Sequence, residues 1–71
     1  MAEYQHFDGE AYITMDIIAI NEKKNEIELA ITDRDRISVT TYDLYKTADG
    51  KLYFEYGCMH EKIYIDDFEV M

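Results

Sequence analysis

The chain contains no proline, one cysteine and only seven basic residues. With Cys58 alone, no internal disulfide can form, which excludes a disulfide-stapled secreted scaffold. No run approaches the roughly 20 apolar residues of a membrane-spanning helix. The first ten residues lack both a basic region and an apolar stretch, so no signal peptide is expected and a reducing, cytoplasmic location is. Low-complexity linkers and internal repeats are missing too. One domain spanning residues 1–71 is the expectation, a small acidic β domain near the lower size limit for unaided folding.

What is present is acid. Sixteen Asp and Glu against seven Lys and Arg give a formal charge of −9. A hydrophobic fraction of 48% is too high for intrinsic disorder, so these carboxylates belong to a folded surface. Seven Tyr and three Phe supply large buried areas per residue. The charge is uneven. Glu3, Asp8 and Glu10 face no base in residues 1–10, and Glu61, Asp66, Asp67 and Glu69 face only Lys62 in residues 61–71. Lys23, Lys24, Arg34 and Arg36 fall in or beside expected turns.

Period-two alternation dominates, filled by β-branched and aromatic residues, and no 3.6-residue apolar stripe competes with it. Asp8-Gly9 suits a type I′ hairpin turn. It would set His6 opposite Ala11 and Tyr4 opposite Ile13, with a first strand over residues 3–7. A strand over 11–20 carries Ile13, Met15, Ile17 and Ala19 on one face, with Ile18 and Ile20 on the other. Residues 26–32 place Ile27, Leu29 and Ile31 inward and Glu26, Glu28, Ala30 and Thr32 outward. Ile37 and Val39 are odd whereas Tyr42 and Leu44 are even, so a β-bulge is expected at Thr40-Thr41. Thr47 to Gly50 is a turn that aligns Leu44 with Phe54 and Tyr42 with Tyr56. Gly57 to Lys62 reads as a helical turn before a last strand at Ile63 to Ile65. The expected fold is therefore all-β: a single small antiparallel meander of five to six strands with little or no helix. It would close as an SH3-like barrel or form a strongly bent sheet. An open sheet burying its free face in a dimer is the alternative.

Motifs for chemistry are sparse. Cys58, His60 and Glu61 cluster, but a structural zinc site needs four ligands and His6 is the only other histidine. The expected state is a small, partly buried thiol beside a surface histidine. Asp33-Arg34-Asp35 lacks the glycine and terminal glutamate of an EF-hand loop. No catalytic residue, metal ligand or cofactor is assigned, and a catalyst is not expected in so small a domain. The hairpin register places Asp43 opposite Glu55 and Tyr45 opposite Tyr53 on the outer face, a patch suited to protein binding. Asp66, Asp67 and Glu69, with Glu26 and Glu28, complete the candidate partner-binding set.

Tyrosines interleaved with acids give direct nucleic-acid binding the wrong electrostatic sign, and an anionic membrane is disfavoured likewise. The expected partner is a basic protein surface, most concretely that of a nucleic-acid-binding enzyme. Outward carboxylates two residues apart along a strand are about 6.7 Å apart, on the order of twice the 3.4 Å axial repeat of a nucleic-acid strand. The chain thus resembles in type the short, acidic inhibitors that phages and mobile elements direct against CRISPR, restriction or repair enzymes. Such an inhibitor mimics nucleic-acid charge and blocks a basic groove. The alternative is a non-inhibitory adaptor or homo-oligomeric subunit, a homodimer for instance, binding through exposed tyrosines or a sheet edge.

Overall fold

The segment with the cleanest alternation becomes the centre of the structure. In the computed structural model, which describes residues 2–7 and 9–70, strand β3 (Glu26–Asp33) buries Ile27, Leu29 and Ile31. Each fully buried aliphatic side chain stabilises by roughly 1.5–3 kcal/mol. β3 lies between β2 (Tyr12–Asn21) and β4 (Arg36–Asp43). Beyond β2 the sheet continues with β1 (Ala2–Phe7) and a two-residue β8 (Glu69–Val70), giving the order β4-β3-β2-β1-β8. A smaller sheet, ordered β5-β6-β7, is formed by Tyr45–Lys46, Leu52–Tyr56 and Glu61–Tyr64. All pairings in both sheets are antiparallel. A 3-10 turn at Ile65–Asp67 is the one helical element among the described residues.

The all-β class is as expected, but among the described residues eight short strands stand where five or six were anticipated, and they form two ladders, not one closed barrel. The division occurs at Leu44. Asp43 is laddered to Glu26, whereas Tyr45 is laddered to Tyr53. Between them the Leu44 N–H donates to the Asn25 carbonyl at 2.8 Å and its side chain is buried. The chain crosses from one sheet to the other at this residue. The ladder of β4 therefore ends before that of β5 begins.

The sheets share one core. Ile13, Met15, Ile27, Leu29 and Ile31 of the larger sheet meet Leu44, Phe54, Ile63 and Phe68. Aromatic rings fill the seam: Phe54 lies 5.4 Å from Tyr42 and 6.3 Å from Phe68, and Phe68 lies 5.3 Å from Tyr4. The expected pairing of Tyr45 with Tyr53 holds, followed by Lys46 with Leu52, but the ladder stops at Tyr45: Tyr42 pairs with Ile27 and not with Tyr56, because the chain has crossed to the larger sheet. The turn that sets the pairing of Tyr45 is as expected. Gly50 takes φ +91°, its N–H donates to the Thr47 carbonyl at 3.0 Å, and the Lys51 N–H donates to Thr47 Oγ1 at 3.0 Å.

Four local expectations change. The ladder between β3 and β4 runs unbroken from Asp33↔Arg36 to Glu26↔Asp43, so Thr40-Thr41 carries no bulge. Ile37 and Val39 consequently face solvent, 72% and 61% exposed. The bulge lies instead in β2 between Ile17 and Ala19, which returns Ile20 opposite Ile27. His6 pairs with Ile13 and Tyr4 with Met15, two residues beyond the tight-turn register, because the ladder closes at Phe7 with Tyr12. The Asp8 half of the expected turn lies outside the described residues. Finally, residues 57–60 make a hairpin turn, not a helical one, with Gly57 at φ +76° and His60 at φ +52°.

Candidate functional site

Residues directly opposite in a ladder share a face, so the pairings define what the larger sheet shows to solvent. Glu3 lies opposite Asp16 on one side and Glu69 on the other. Asp16 in turn lies opposite Ala30, and Ala30 opposite Val39. The neighbouring rows are Ala19, Glu28 and Thr41, then Asn21, Glu26 and Asp43. The outer face thus carries Glu3, Asp16, Glu26, Glu28, Asp43 and Glu69, and among the described residues no Lys or Arg occupies a strand position on it.

Three of these contacts are direct like-charge pairs: Glu3 with Asp16, Glu3 with Glu69, and Glu26 with Asp43. Such pairs destabilise a sheet. An open cleft of roughly 430 Å³ adds a seventh carboxylate, being lined by Glu3, Tyr4, Gln5, Asp67 and Glu69. The two acidic ends of the chain therefore meet through the pairing of β1 with β8, without barrel closure. Toward the opposite end of the same face the described strand positions are uncharged: Gln5, Thr14, Thr32 and Ile37 form one row, and Phe7 packs tilted against Tyr12 with ring centroids 5.1 Å apart.

The smaller sheet has a different outer face. Tyr45, Tyr53 and Tyr64 form a ladder of rings, each 5.4 Å from the next. Glu55 pairs with Lys62, whose Nζ lies 5.2 Å from the Tyr53 ring centroid. Burial raises the Tyr45 hydroxyl pKa above its ordinary value, and Asp43, Glu55 and then Tyr53 add to the effect. Asp43 stands at the crossing of the two sheets and touches both fields.

The candidate residues thus divide. Glu26, Glu28, Asp43, Asp67 and Glu69 join the acidic face or its cleft, while Glu55, Tyr45 and Tyr53 belong to the tyrosine ladder. Asp66 turns toward a second depression beside Thr47, Asp49 and Lys51. Glu3 and Asp16 escape a reading of the sequence, because only the registers of β1 with β2 and β8 bring them to Glu69. Comparison of the chain with protein-family models, curated proteins and solved structures finds no match.

His6 also gains a role. It is buried, its Nε2 lies 3.2 Å from Glu61 Oε2, and its ring packs against Tyr4 and Tyr56 at 6.3 and 5.5 Å. This contact ties β1 to β7 across the seam. It gives Glu61 of the Cys58, His60 and Glu61 cluster a partner in β1. Cys58 is exposed, not partly buried, because residues 57–60 form the tip of a hairpin. No three His, Cys, Asp or Glu side chains among the described residues are gathered to hold an ion. Nor is any described helix long and apolar enough to cross a membrane.

Proposed function

We propose that this protein is a binding module, not a catalyst, and that the outer face of its larger sheet docks onto a basic protein surface. Its most concrete form is an inhibitor that mimics nucleic-acid charge and occupies the basic groove of a nucleic-acid-processing enzyme. One observation carries the reading: among the described residues six carboxylates and no strand-borne base share one sheet face, with Glu3 directly flanked by two other acids. A face selected for stability alone would alternate charges across the strands, as Glu55 and Lys62 do on the smaller sheet. Repulsion retained on a rigid sheet is relieved when a basic partner arrives, which favours the complex over the free state. Spacing supports the same conclusion. Glu26 and Glu28 are successive outward residues, about 6.7 Å apart from the strand rise. Rows from adjacent strands set further carboxylates beside them.

The test is capture of the partner with tagged protein in the native host, followed by affinity measurements over a salt series. Binding should weaken at least tenfold between about 0.05 and 0.5 M salt, where the Debye length falls below the size of the face. Joint replacement of Glu3, Asp16 and Glu69 by Lys should abolish it while circular dichroism stays unchanged. Salt-independent affinity, or full binding by the charge-reversed protein, would overturn the reading. A partner lost on Tyr45→Ala but kept after charge reversal would point to an adaptor acting through the tyrosine ladder.

A further inference from the structure

Of the four sheet edges, three are blunted. β8 and β5 have two residues each, and β7 carries Glu61 and Lys62. β4 is different. It is an eight-residue edge strand, and its segment Ile37-Ser38-Val39-Thr40-Thr41-Tyr42 is the longest stretch of the chain without an acid or a base. It has no proline, glycine or bulge, the devices that usually protect an open edge. Residues 36–39 are exposed on both faces of the strand.

We infer that β4 is a self-association edge, pairing antiparallel with β4 of a second copy about a two-fold axis at Ser38. Alternate residues of an edge strand turn both backbone groups away from their neighbour. A two-fold axis perpendicular to the sheet pairs residues whose numbers sum to an even value, which brings those free groups together. Four centres pair at least five residues of β4. Centring on Val39 pairs Ile37 with Thr41 of the copy, centring on Thr40 pairs Ile37 with Asp43, and centring on Thr41 pairs Val39 with Asp43. Centring on Ser38 pairs Ile37 with Val39 of the copy, twice by symmetry, and Arg36 with Thr40. Only this last register joins both exposed apolar side chains to each other.

The occupant follows from charge. A second copy also carries −9, so two copies can approach closely only where acid is absent, and residues 37–42 are the uncharged segment whose exposed Ile37 and Val39 match each other in an antiparallel copy. A basic partner, in contrast, is drawn to the carboxylate rows. The edge is short, so the dimer is a weak one at the small end of interface sizes. This inference is independent of the proposed inhibitor role.

Sedimentation equilibrium of the intact protein from about 1 µM to 1 mM, a range that brackets weak dimers, tests it. The apparent mass should rise from 8.4 kDa toward twice that value. The rise should strengthen with salt, because screening removes repulsion between like-charged copies. This is the opposite of the salt response expected at the acidic face. Val39→Lys should leave the protein monomeric with an unchanged circular dichroism spectrum. Ile37→Thr, which keeps a β-branched residue, should weaken association several-fold. Register is tested in a Cys58→Ser background with oxidised glutathione. Ser38→Cys should cross-link the copies, since opposed Cα atoms lie about 4.5–5.5 Å apart, whereas Thr41→Cys should not. A mass fixed at 8.4 kDa at all concentrations and salts would overturn the inference. So would a dimer indifferent to Val39→Lys, or cross-linking at position 41 in place of 38.

Discussion

Glu3 offers a direct measure of how much stability the acidic face costs. It stands between Asp16 and Glu69 on the same side of the sheet. For carboxylates about 6 Å apart in a medium of dielectric constant near 80, Coulomb repulsion is roughly 0.7 kcal/mol per pair. Two pairs give about 1.4 kcal/mol before screening. At physiological ionic strength the Debye length is about 8 Å, which reduces the sum to roughly 0.6–0.7 kcal/mol. Glu3→Gln removes both repulsions and keeps the size and polarity of the side chain. It should therefore raise the melting temperature by about 3–5 °C, given about 4–8 °C per kcal/mol for a domain of this size.

Glu3→Lys turns both repulsions into attractions and should stabilise further. Differential scanning fluorimetry in about 0.02, 0.15 and 1 M salt provides the assay, with urea melts to confirm the free-energy scale. The gain should be largest at the lowest salt and nearly vanish at the highest. A Glu3→Gln protein that is unchanged or less stable at low salt would show that the three carboxylates do not repel one another in the fold. The premise that the face holds unrelieved repulsion would then fail. The same substitution should weaken capture of a basic partner, so stability and binding should move in opposite directions.

Two further expectations concern the seam between the sheets. His6→Phe keeps the ring contacts with Tyr4 and Tyr56 but loses the 3.2 Å polar contact with Glu61. It should cost about 1–2 kcal/mol in urea unfolding, and a neutral result would mean that the contact contributes packing alone. Tyr42 has its pKa raised, first by burial and then by Tyr56, so the folded chain holds a proton that the unfolded chain releases near pH 10. That stability is complete below the unfolded value and is lost as pH climbs through the folded one. Tyr42→Phe should accordingly flatten the alkaline decline of the melting temperature, and an unchanged slope would remove Tyr42 from its causes.

The sequence was most legible where one strand has solvent on one side only. Ile27, Leu29 and Ile31 alternate with polar residues because β3 is central and half covered, and period two identifies them directly. The pairing of Tyr45 with Tyr53 was legible because a four-residue turn with Gly50 fixes its own register. Ile37 and Val39 misled because an exposed apolar pair on an edge strand has the same alternation as a buried one. Which strand lies at an edge is decided by non-local pairing. The parity conflict between Val39 and Tyr42 was real, but β4 resolved it by exposing two residues, and the bulge went to β2 at Ile18. Glu3 and Glu69 are 66 positions apart in the chain, and no local signal announces that β1 and β8 are neighbours.

That missed pairing and that misplaced strand lead to the same physical separation. The larger sheet has its carboxylates gathered toward one end of the outer face, while Phe7, Tyr12, Ile37 and Val39 occupy the uncharged remainder and the β4 edge. Salt acts on these two surfaces with opposite sign. It weakens attraction of the acidic rows for a basic partner, and it lowers the repulsion that keeps two −9 chains apart at β4. A protein using only its acidic face would show one monotonic loss of assembly with salt. One using only β4 would show a monotonic gain. If both surfaces act, low salt favours a monomer on a basic target and high salt favours the free dimer. Ile37→Thr should then weaken the second species without changing the first, because it alters no charge and Ile37 lies in the uncharged row with Gln5, Thr14 and Thr32.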